Sequence, residues 1–272
     1  MKFVTLNTGQ KMPMLGLGIF QIENDQSGVD VILSAIEAGY RSMDTAEAYK
    51  NEAIVGKAIA QSGISRGDFF VTTKVSNTTQ REGGIAASFE HGLEIMNLEY
   101  VDLYLIHWPV KETFIKTWQE MEKIYESGRA KTIGVCNFLV HHLDALKQCR
   151  ITPAVNQYEH HPYLTQKPLM DYCKSHGIQV EAYSPLGSSK NNLLSNPVVE
   201  DIAAKYGKTA AQILLRWNIE LGVVSIPKSS KTHRIKENIN IFDFELDTAD
   251  IATLDALNQN ARIMPDPDNF DF

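Results

Sequence analysis

Cysteine is scarce in this sequence, and no apolar stretch is long enough to cross a membrane. The three cysteines, Cys136, Cys149 and Cys173, are odd in number and form no Cys-x-x-Cys pair, so we expect free thiols and a reducing, cytoplasmic setting. A membrane helix needs about 18 apolar residues, and the segment after Lys2 lacks the apolar core of a secretory signal. These absences predict a soluble protein and argue against the membrane-spanning and disulfide-stabilised classes.

Basic residues are in the minority, and the common phosphate-binding loops are incomplete. The net charge of −7 argues against nucleic acid or an anionic membrane as the main partner. Gly16 and Gly18 resemble the start of a dinucleotide fingerprint, but Gln21 replaces its third glycine. Residues 207–209, Gly-Lys-Thr, lack the first glycine of a phosphate loop because Ile202 holds that position. Neither loop is therefore expected to bind a nucleotide.

Two adjacent histidine pairs, His141–His142 and His160–His161, are the candidate metal ligands. Neighbours on one segment point in different directions, and no carboxylate or cysteine in the sequence pattern completes a ligand set. We therefore expect no metal site.

Short apolar runs alternate with helical patterns along the whole chain, without a low-complexity linker. A hairpin with its turn at residues 7–10 comes first. The eight runs that follow are MLGLGIF, YRSMD, DFFVTTK, VDLYLIH, AKTIGVCN, PAVNQ, IQVEAYS and GVVSIPK. Apolar strands separated by amphipathic helices predict an α/β protein, a (β/α)8 TIM barrel in one domain of residues 1–272. Further helices are expected near the C-terminus, at 197–206 and 247–258.

Polar side chains stand at or near the ends of seven of these eight runs. In a barrel, the carboxyl ends of all strands open on one face, where the active site lies. A single polar strand end carries no information, but seven that include Asp, Lys and His are harder to explain by packing. We therefore expect one mouth to collect Asp44, Lys74, His107, Asn137, Gln157, Tyr183 and Lys228.

Four of these candidates suit proton transfer to a carbonyl oxygen. Tyr49 follows the second run and can reach the same mouth. Lys74 is the cation that could lower the pKa of the phenol, and Asp44 could keep Lys74 protonated while partly cancelling that effect. His107 could hydrogen-bond and orient a substrate oxygen. This chemistry requires no metal.

The same residues lie in motifs that resemble the aldo-keto reductase family over essentially the whole chain. Residues 39–52 contain an Asp-Thr-Ala-x-x-Tyr signature. The later blocks occur in the family's order: VTTKV (71–75), YLIHWP (104–109), GVCNF (134–138), NQYEHHP (156–162), AYSPLG (182–187) and IPKSSKTHRIKEN (226–238). The resemblance implies NADPH-dependent carbonyl reduction, with Tyr49 as general acid, Lys74 and Asp44 tuning it, and His107 orienting the carbonyl.

The resemblance also implies how NADPH or NADP would bind. Asn137 and Gln157 would hold the nicotinamide amide, Tyr183 would stack on its ring, and Ser184 and Leu186 would line the pyrophosphate path. The 2′-phosphate and adenine would contact Lys228, Ser229, Arg234, Glu237 and Asn238. Independently of the resemblance, this acidic chain has a local basic patch that consists of Lys228, Lys231, Arg234 and Lys236. Such a patch suits a phosphate. The alternative is a solvated basic helix face.

Three positions depart from the family pattern. Cys136 stands where serine is usual beside Asn137, and a thiol is a weak hydrogen-bond partner. Phe20 and Ser76 replace tryptophans of the substrate pocket, whereas Trp108 keeps an aromatic wall. With a short segment after the last helix, we expect a wide, polar pocket that suits small polar carbonyls. The resemblance implies a keto sugar acid, methylglyoxal or another small dicarbonyl, or an aromatic aldehyde as the substrate.

Two other functions remain open on this sequence. Lys74 could form a Schiff base, as in barrel aldolases and lyases, or the fold could bind NADPH without catalysis. All four catalytic candidates are present, which disfavours the second. For the assembly, we expect a monomer.

Overall fold

The computed structural model describes residues 1–188, 191–270 and 272, which contain ten strands and eleven α-helices. The strands are β1 (Phe3–Thr5), β2 (Lys11–Pro13), β3 (Leu17–Gly18), β4 (Ser42–Asp44), β5 (Phe70–Val75), β6 (Leu103–Ile106), β7 (Ile133–Cys136), β8 (Val155–Glu159), β9 (Gln179–Tyr183) and β10 (Val224–Ser225). The helices are α1 (Gln26–Ala38), α2 (Glu52–Ser62), α3 (Asn77–Glu82), α4 (Ile85–Met96), α5 (Phe114–Glu126), α6 (Val140–Leu146), α7 (Lys167–Ser175), α8 (Pro197–Tyr206), α9 (Ala210–Glu220), α10 (Thr232–Ile239) and α11 (Thr248–Asp255).

The strands form a hairpin and a closed parallel barrel. β1 pairs antiparallel with β2, as the turn at residues 7–10 predicts. β3 to β10 pair in parallel in sequence order. Bridges from Leu15 to Ser225 and from Gly18 to Lys228 join the first barrel strand to the last. The predicted (β/α)8 barrel with its N-terminal hairpin is thereby confirmed.

Each of the eight apolar runs overlaps one barrel strand, and both expected C-terminal helices are present as α8 and α11. The strands at the closure, β3 and β10, are the shortest, with two residues each. Glycine lets the backbones approach there, because a Cβ on Gly18 would lie 2.9 Å from the carbonyl oxygen of Ile226. Gly16 and Gly18 therefore serve barrel closure, as expected, rather than a nucleotide loop.

Local signals end the helices where the strands must begin. Asp25 caps α1 by accepting the backbone N–H groups of Ser27 and Gly28, and Gly39 ends it in the left-handed region at φ 105°. Thr209 and Gln212 form a capping box at the start of α9.

Among the described residues, no helix combines the length and apolarity that crossing a bilayer requires.

Apolar side chains fill the space between the strands and the outer helices, where Trp118 and Trp217 are fully buried. The upper interior of the barrel is different, because buried polar side chains from five of its eight strands meet there. They are Asp44, Lys74, Cys136, Gln157 and Glu181. The fold therefore concentrates polar and ionisable groups at the carboxyl ends of the strands.

Candidate active site

The four predicted catalytic side chains lie together at the carboxyl end of the barrel. Asp44 ends β4, Lys74 lies in β5, His107 follows β6, and Tyr49 ends a short 3-10 turn after β4. The Lys74 ammonium donates to Asp44 Oδ1 at 2.5 Å and to the carbonyl oxygen of Thr45 at 2.9 Å. These bonds hold the ammonium at the centre of the group.

Tyr49 lies against both Lys74 and His107 at the mouth. Lys74 Nζ is 5.0 Å from the centroid of the tyrosine ring, and its charge acts to lower the pKa of the phenol. The His107 ring meets the Tyr49 ring edge-on with 5.5 Å between centroids. Both rings are half-buried, so a molecule entering the mouth would contact the phenol and the imidazole together.

Burial controls the protonation of the two rings. It raises the pKa of Tyr49 to about 12, although Lys74 acts to lower it and Asp44 acts to raise it. Burial and the neighbouring Lys74 charge lower the pKa of His107 to about 3. At neutral pH the phenol therefore keeps its proton and the imidazole is neutral, so both groups can donate a hydrogen bond to a substrate oxygen.

Lys74 remains an ammonium inside the barrel. Burial works against its charge, but the Coulomb attraction and hydrogen bond of Asp44, together with Tyr49 and Cys136, outweigh burial and raise the pKa of Lys74. The expected tuning pair of Asp44 and Lys74 is thus present as an ion pair whose members are almost completely buried.

The residues predicted to hold a nicotinamide amide lie next to this pair and bond one another. Asn137 donates to the carbonyl oxygen of His107 at 3.1 Å, and its own Oδ1 accepts the Tyr183 hydroxyl at 2.7 Å. Cys136 Sγ lies 3.2 Å from Asn137 Nδ2 and 3.6 Å from Gln157 Oε1. The thiol is 1% exposed, so it lies beneath the two amides rather than at the surface of the pocket.

A basic groove of about 580 Å³ lies beside the mouth and collects most of the predicted phosphate-binding residues. Its lining includes Leu186, Lys228, Ser229, Lys231, Arg234, Glu237 and Asn238. Within the described ranges, none of its lysines or its arginine forms an ion pair, and the buried Asn238 Oδ1 has no partner. Lys236 points elsewhere, since it is absent from the lining. Ser184, at φ 48°, leads from β9 towards Leu186.

The wall of the predicted substrate pocket differs from the sequence expectation. The Phe20 ring lies 5.0 Å from that of Tyr49. The Ser76 hydroxyl caps α3 by accepting the Thr79 N–H, so it contributes less polarity than expected. The rings of Phe270 and Phe272 pack on Trp108 with centroids 5.1 and 5.3 Å away. The C-terminal segment therefore reaches the pocket and makes this side apolar.

A carboxylate joins one of the histidine pairs, contrary to the sequence expectation. Asp268 lies 2.9 Å from His141 Nε2 and 3.4 Å from His142 Nε2. However, His142 Nδ1 accepts the backbone N–H of Leu139, so its Nε2 carries the hydrogen and faces Asp268 as a donor. The cluster is suited to tethering the C-terminal segment.

Sequence reasoning missed two buried carboxylates near the site. Glu181 accepts from Gln157 Nε2 at 2.8 Å. Glu159 accepts the backbone N–H groups of Ile263 and Met264, both at 2.8 Å, and so anchors the C-terminal segment. A glutamate inside an otherwise apolar run is the signal that could have identified Glu181, because unpaired carboxylates are rarely buried. Glu159 lies beyond the predicted run PAVNQ and carries no such signal.

Comparison with known proteins agrees with this geometry. Residues 14–259 match the model of the aldo/keto reductase family. The chain is 50% identical over 270 residues to glyoxal reductase of Bacillus subtilis (strain 168). The match covers 99% of this chain and 97% of that protein. It is 42% identical over 270 residues to methylglyoxal reductase DkgA of Escherichia coli (strain K12). That match covers 98% of this chain and 97% of the Escherichia coli protein.

A solved structure shows the same fold at similar identity. The aldo-keto reductase MGS-M4 from a Medee basin deep-sea metagenome library has a TM-score of 0.96 and 43% identity, over 99% of this chain and 100% of that one. With a family match over most of its length and relatives this similar over their whole length, the chain belongs to the aldo/keto reductase family.

Proposed function

We propose that this protein reduces aldehydes and ketones to alcohols with NADPH, and that Tyr49 donates the proton to the carbonyl oxygen. The observation that carries the proposal is the contact of Tyr49 with both Lys74 and His107 at one mouth. Family membership supports an oxidoreductase that acts on carbonyls.

The chain's own residues account for the proton and for its orientation. The carbonyl oxygen would accept hydrogen bonds from the Tyr49 hydroxyl and the neutral His107 ring. As the carbonyl carbon gains a hydride, the phenol proton moves to the oxygen, and Lys74 stabilises the phenolate that is left. Asp44 keeps Lys74 charged for this task. Solvent then returns a proton to Tyr49.

The basic groove supports NADPH as the hydride donor. Bound NADPH supplies the hydride. Lys228, Lys231 and Arg234 line the groove without carboxylate partners in the described part of the chain, and unpaired cations suit a phosphate better than a neutral ribose. Asn137 and Gln157, which lie beside His107 and Asp44, would hold the carboxamide.

Small dicarbonyls are the substrates that the comparisons favour. The relatives are a glyoxal reductase and a methylglyoxal reductase, and the phenylalanines of the C-terminal segment narrow the pocket beside Trp108. We therefore propose glyoxal and methylglyoxal first, with keto sugar acids and aromatic aldehydes as further candidates.

The geometry gives little support to a Schiff base on Lys74. The ammonium donates to Asp44 and to the carbonyl oxygen of Thr45, and it faces the Tyr49 ring. Since an amine attacks a carbonyl only after losing its proton, a lysine whose pKa is raised is a poor nucleophile. Borohydride trapping of a substrate adduct on Lys74 would contradict this conclusion.

Replacing Tyr49 by phenylalanine tests the proposed function. We expect the wild-type protein to oxidise NADPH in the presence of methylglyoxal, which is measured as a loss of NADPH absorbance. Tyr49→Phe should lower kcat by about 10²- to 10⁴-fold, the usual contribution of a general acid, and leave the Kd for NADPH unchanged.

Tyr125→Phe, which removes a phenol on the outer helix α5, is the matched control and should keep full activity. A wild-type protein that neither binds NADPH nor consumes it with any of the carbonyls would overturn the proposed function. An active Tyr49→Phe would assign the proton donor to another group.

A further inference from the structure

Glu181 is a fully buried carboxyl group that the proposed reaction does not use. It lies in β9 inside the barrel, in register with Gln157 of β8 and Val224 of β10. A carboxyl group in such a place has a large desolvation cost when ionised. Its neighbours therefore decide both its charge and its role.

Glu181 and Asp44 share one amide group. Gln157 Nε2 donates to Asp44 Oδ2 and to Glu181 Oε2, both at 2.8 Å. An amide nitrogen has two hydrogens, so both are committed. Because the Asp44 carboxylate can only accept, it fixes which end of the amide is the nitrogen. Gln157 Oε1 is then directed to the side of Cys136.

Among the described residues, no cation forms an ion pair with Glu181. Lys74 already donates to Asp44 and Thr45, and the Coulomb effect of Lys74 on Glu181 is smaller than that of Asp44. The third titratable neighbour is Cys136, a thiol whose pKa burial raises, and β10 contributes Val224 in register. An ionised Glu181 would add a second negative charge beside Asp44.

The second oxygen of Glu181 agrees with a neutral group. Glu181 Oε1 is buried and accepts no hydrogen bond from the described residues. A carboxylate oxygen in that position would be charged and unsolvated, whereas a protonated oxygen carries little charge. The proton therefore belongs on Oε1, and Oε2 is the carbonyl oxygen that accepts from Gln157.

We propose that Glu181 is a positioning residue, a neutral carboxylic acid that holds the Gln157 amide so that the amide oxygen is presented to the carboxamide of the nicotinamide. This inference rests on the proposed function, since the orientation of Gln157 matters only where NADPH binds. Burial, followed by the charge of Asp44, raises the pKa of Glu181 to about 8, in agreement with a protonated group at neutral pH.

Cofactor titration of two substitutions tests the positioning role without turnover. Glu181→Gln keeps a carbonyl acceptor at the same place, so its Kd for NADPH at neutral pH should equal that of the wild type. Glu181→Leu removes the acceptor and frees the amide, so NADPH should bind roughly tenfold more weakly. The control Glu122→Gln alters another buried carboxylate, which accepts the N–H groups of Arg150 and Ile151 near α5, and should bind normally.

Melting temperature against pH tests the neutral state. The pKa of Glu181 is raised from 4.5 to about 8. Its protonation therefore stabilises the folded state fully below pH 4.5, and the stabilisation is lost as pH rises to about 8. Between pH 4.5 and about 8, the melting temperature of the wild type should fall relative to that of Glu181→Gln. Above about pH 8, the difference between the two melting temperatures should stay constant. Infrared spectra should show a protonated carboxyl band at pH ~6 that Glu181→Gln lacks.

The outcomes separate the two proposals. If the wild type binds NADPH and a folded Glu181→Leu binds it equally well, the positioning role is wrong while the proposed function stands. If Glu181→Leu does not fold, two other results would overturn the inference. One is a melting temperature that depends on pH in the same way in wild type and Glu181→Gln, and the other is the absence of the protonated carboxyl band from the infrared spectrum of the wild type. A wild type that does not bind NADPH fails the proposed function itself.

Discussion

The charge of Lys74 acts on the pKa of both neighbouring rings in the same direction. It acts to lower the pKa of the Tyr49 phenol, and it helps to lower the pKa of His107 to about 3. The phenol nevertheless has a pKa of about 12, because burial outweighs the lysine. Such a phenol is a proton donor throughout the neutral range. This favours carbonyl reduction, in which tyrosine must start protonated.

Cys136→Ser is the sharpest single-residue test near the cofactor amides. A hydroxyl is a stronger hydrogen-bond partner than a thiol, and Cys136 lies within reach of Asn137 and Gln157. We expect the affinity for NADPH to stay unchanged or to tighten by up to about tenfold, the size of one neutral hydrogen bond, in a fluorescence titration.

Cys173→Ser is a suitable control, since that buried thiol contacts Asn156 on the helix side of β8. A clear loss of NADPH affinity in Cys136→Ser, with the control unaffected, would contradict the prediction.

At the scale of elements, the face of α10 that lines the groove should determine the choice of cofactor. Arg234 lies on the lining and Lys236 on the same helix does not. Arg234→Ala should weaken NADPH binding by roughly 10- to 100-fold, as expected for hydrogen bonds to a charged group. NADH, which lacks the 2′-phosphate, should bind as before. Both affinities can be measured by calorimetry.

Lys236→Ala removes the same charge from the same helix and serves as the matched control. Equal losses in Lys236→Ala and Arg234→Ala would show a general effect of net charge, and the specific contact would be disproved.

The C-terminal segment is a second element with a testable attachment. Asp268 ties it to His141 and His142, and Phe270 and Phe272 pack on Trp108. Because Asp268 is 45% exposed, its contacts with the two histidines are worth at most about 1 kcal/mol. Asp268→Asn should therefore speed amide hydrogen exchange of residues 266–270 by a few-fold.

Asp243→Asn breaks an exposed pair with Lys208 elsewhere and should leave that segment's exchange unchanged. Unaltered exchange in Asp268→Asn would mean that the aromatic contacts and Glu159 alone hold the segment.

At the scale of the whole molecule, the exposed surface of the described residues favours a monomer. The large apolar side chains that are exposed, among the described residues, are Met1, Phe3, Phe20, Ile95, Leu194 and Phe272. They come from separate elements, and an obligate interface needs a continuous apolar patch. We expect light scattering to give the monomer mass of 30.5 kDa. A mass of twice this value at micromolar concentration would contradict the prediction.

The sequence by itself determined the architecture and the catalytic candidates. Apolar periodicity is local, so it identified all eight barrel strands and the helices α8 and α11. A barrel brings its strand ends to one face, so the positions of Asp44, Lys74 and His107 followed from strand order alone. Tyr49 came from the family motif and from its place in the loop after β4.

Only the tertiary structure decided how these groups are connected. Asp44 and Gln157 are 113 positions apart and share an amide with Glu181. Asp268 meets a histidine pair that the sequence left without a carboxylate, and burial rather than a neighbouring charge sets the pKa of Tyr49. Such features depend on distances and desolvation between remote segments, which no local pattern encodes.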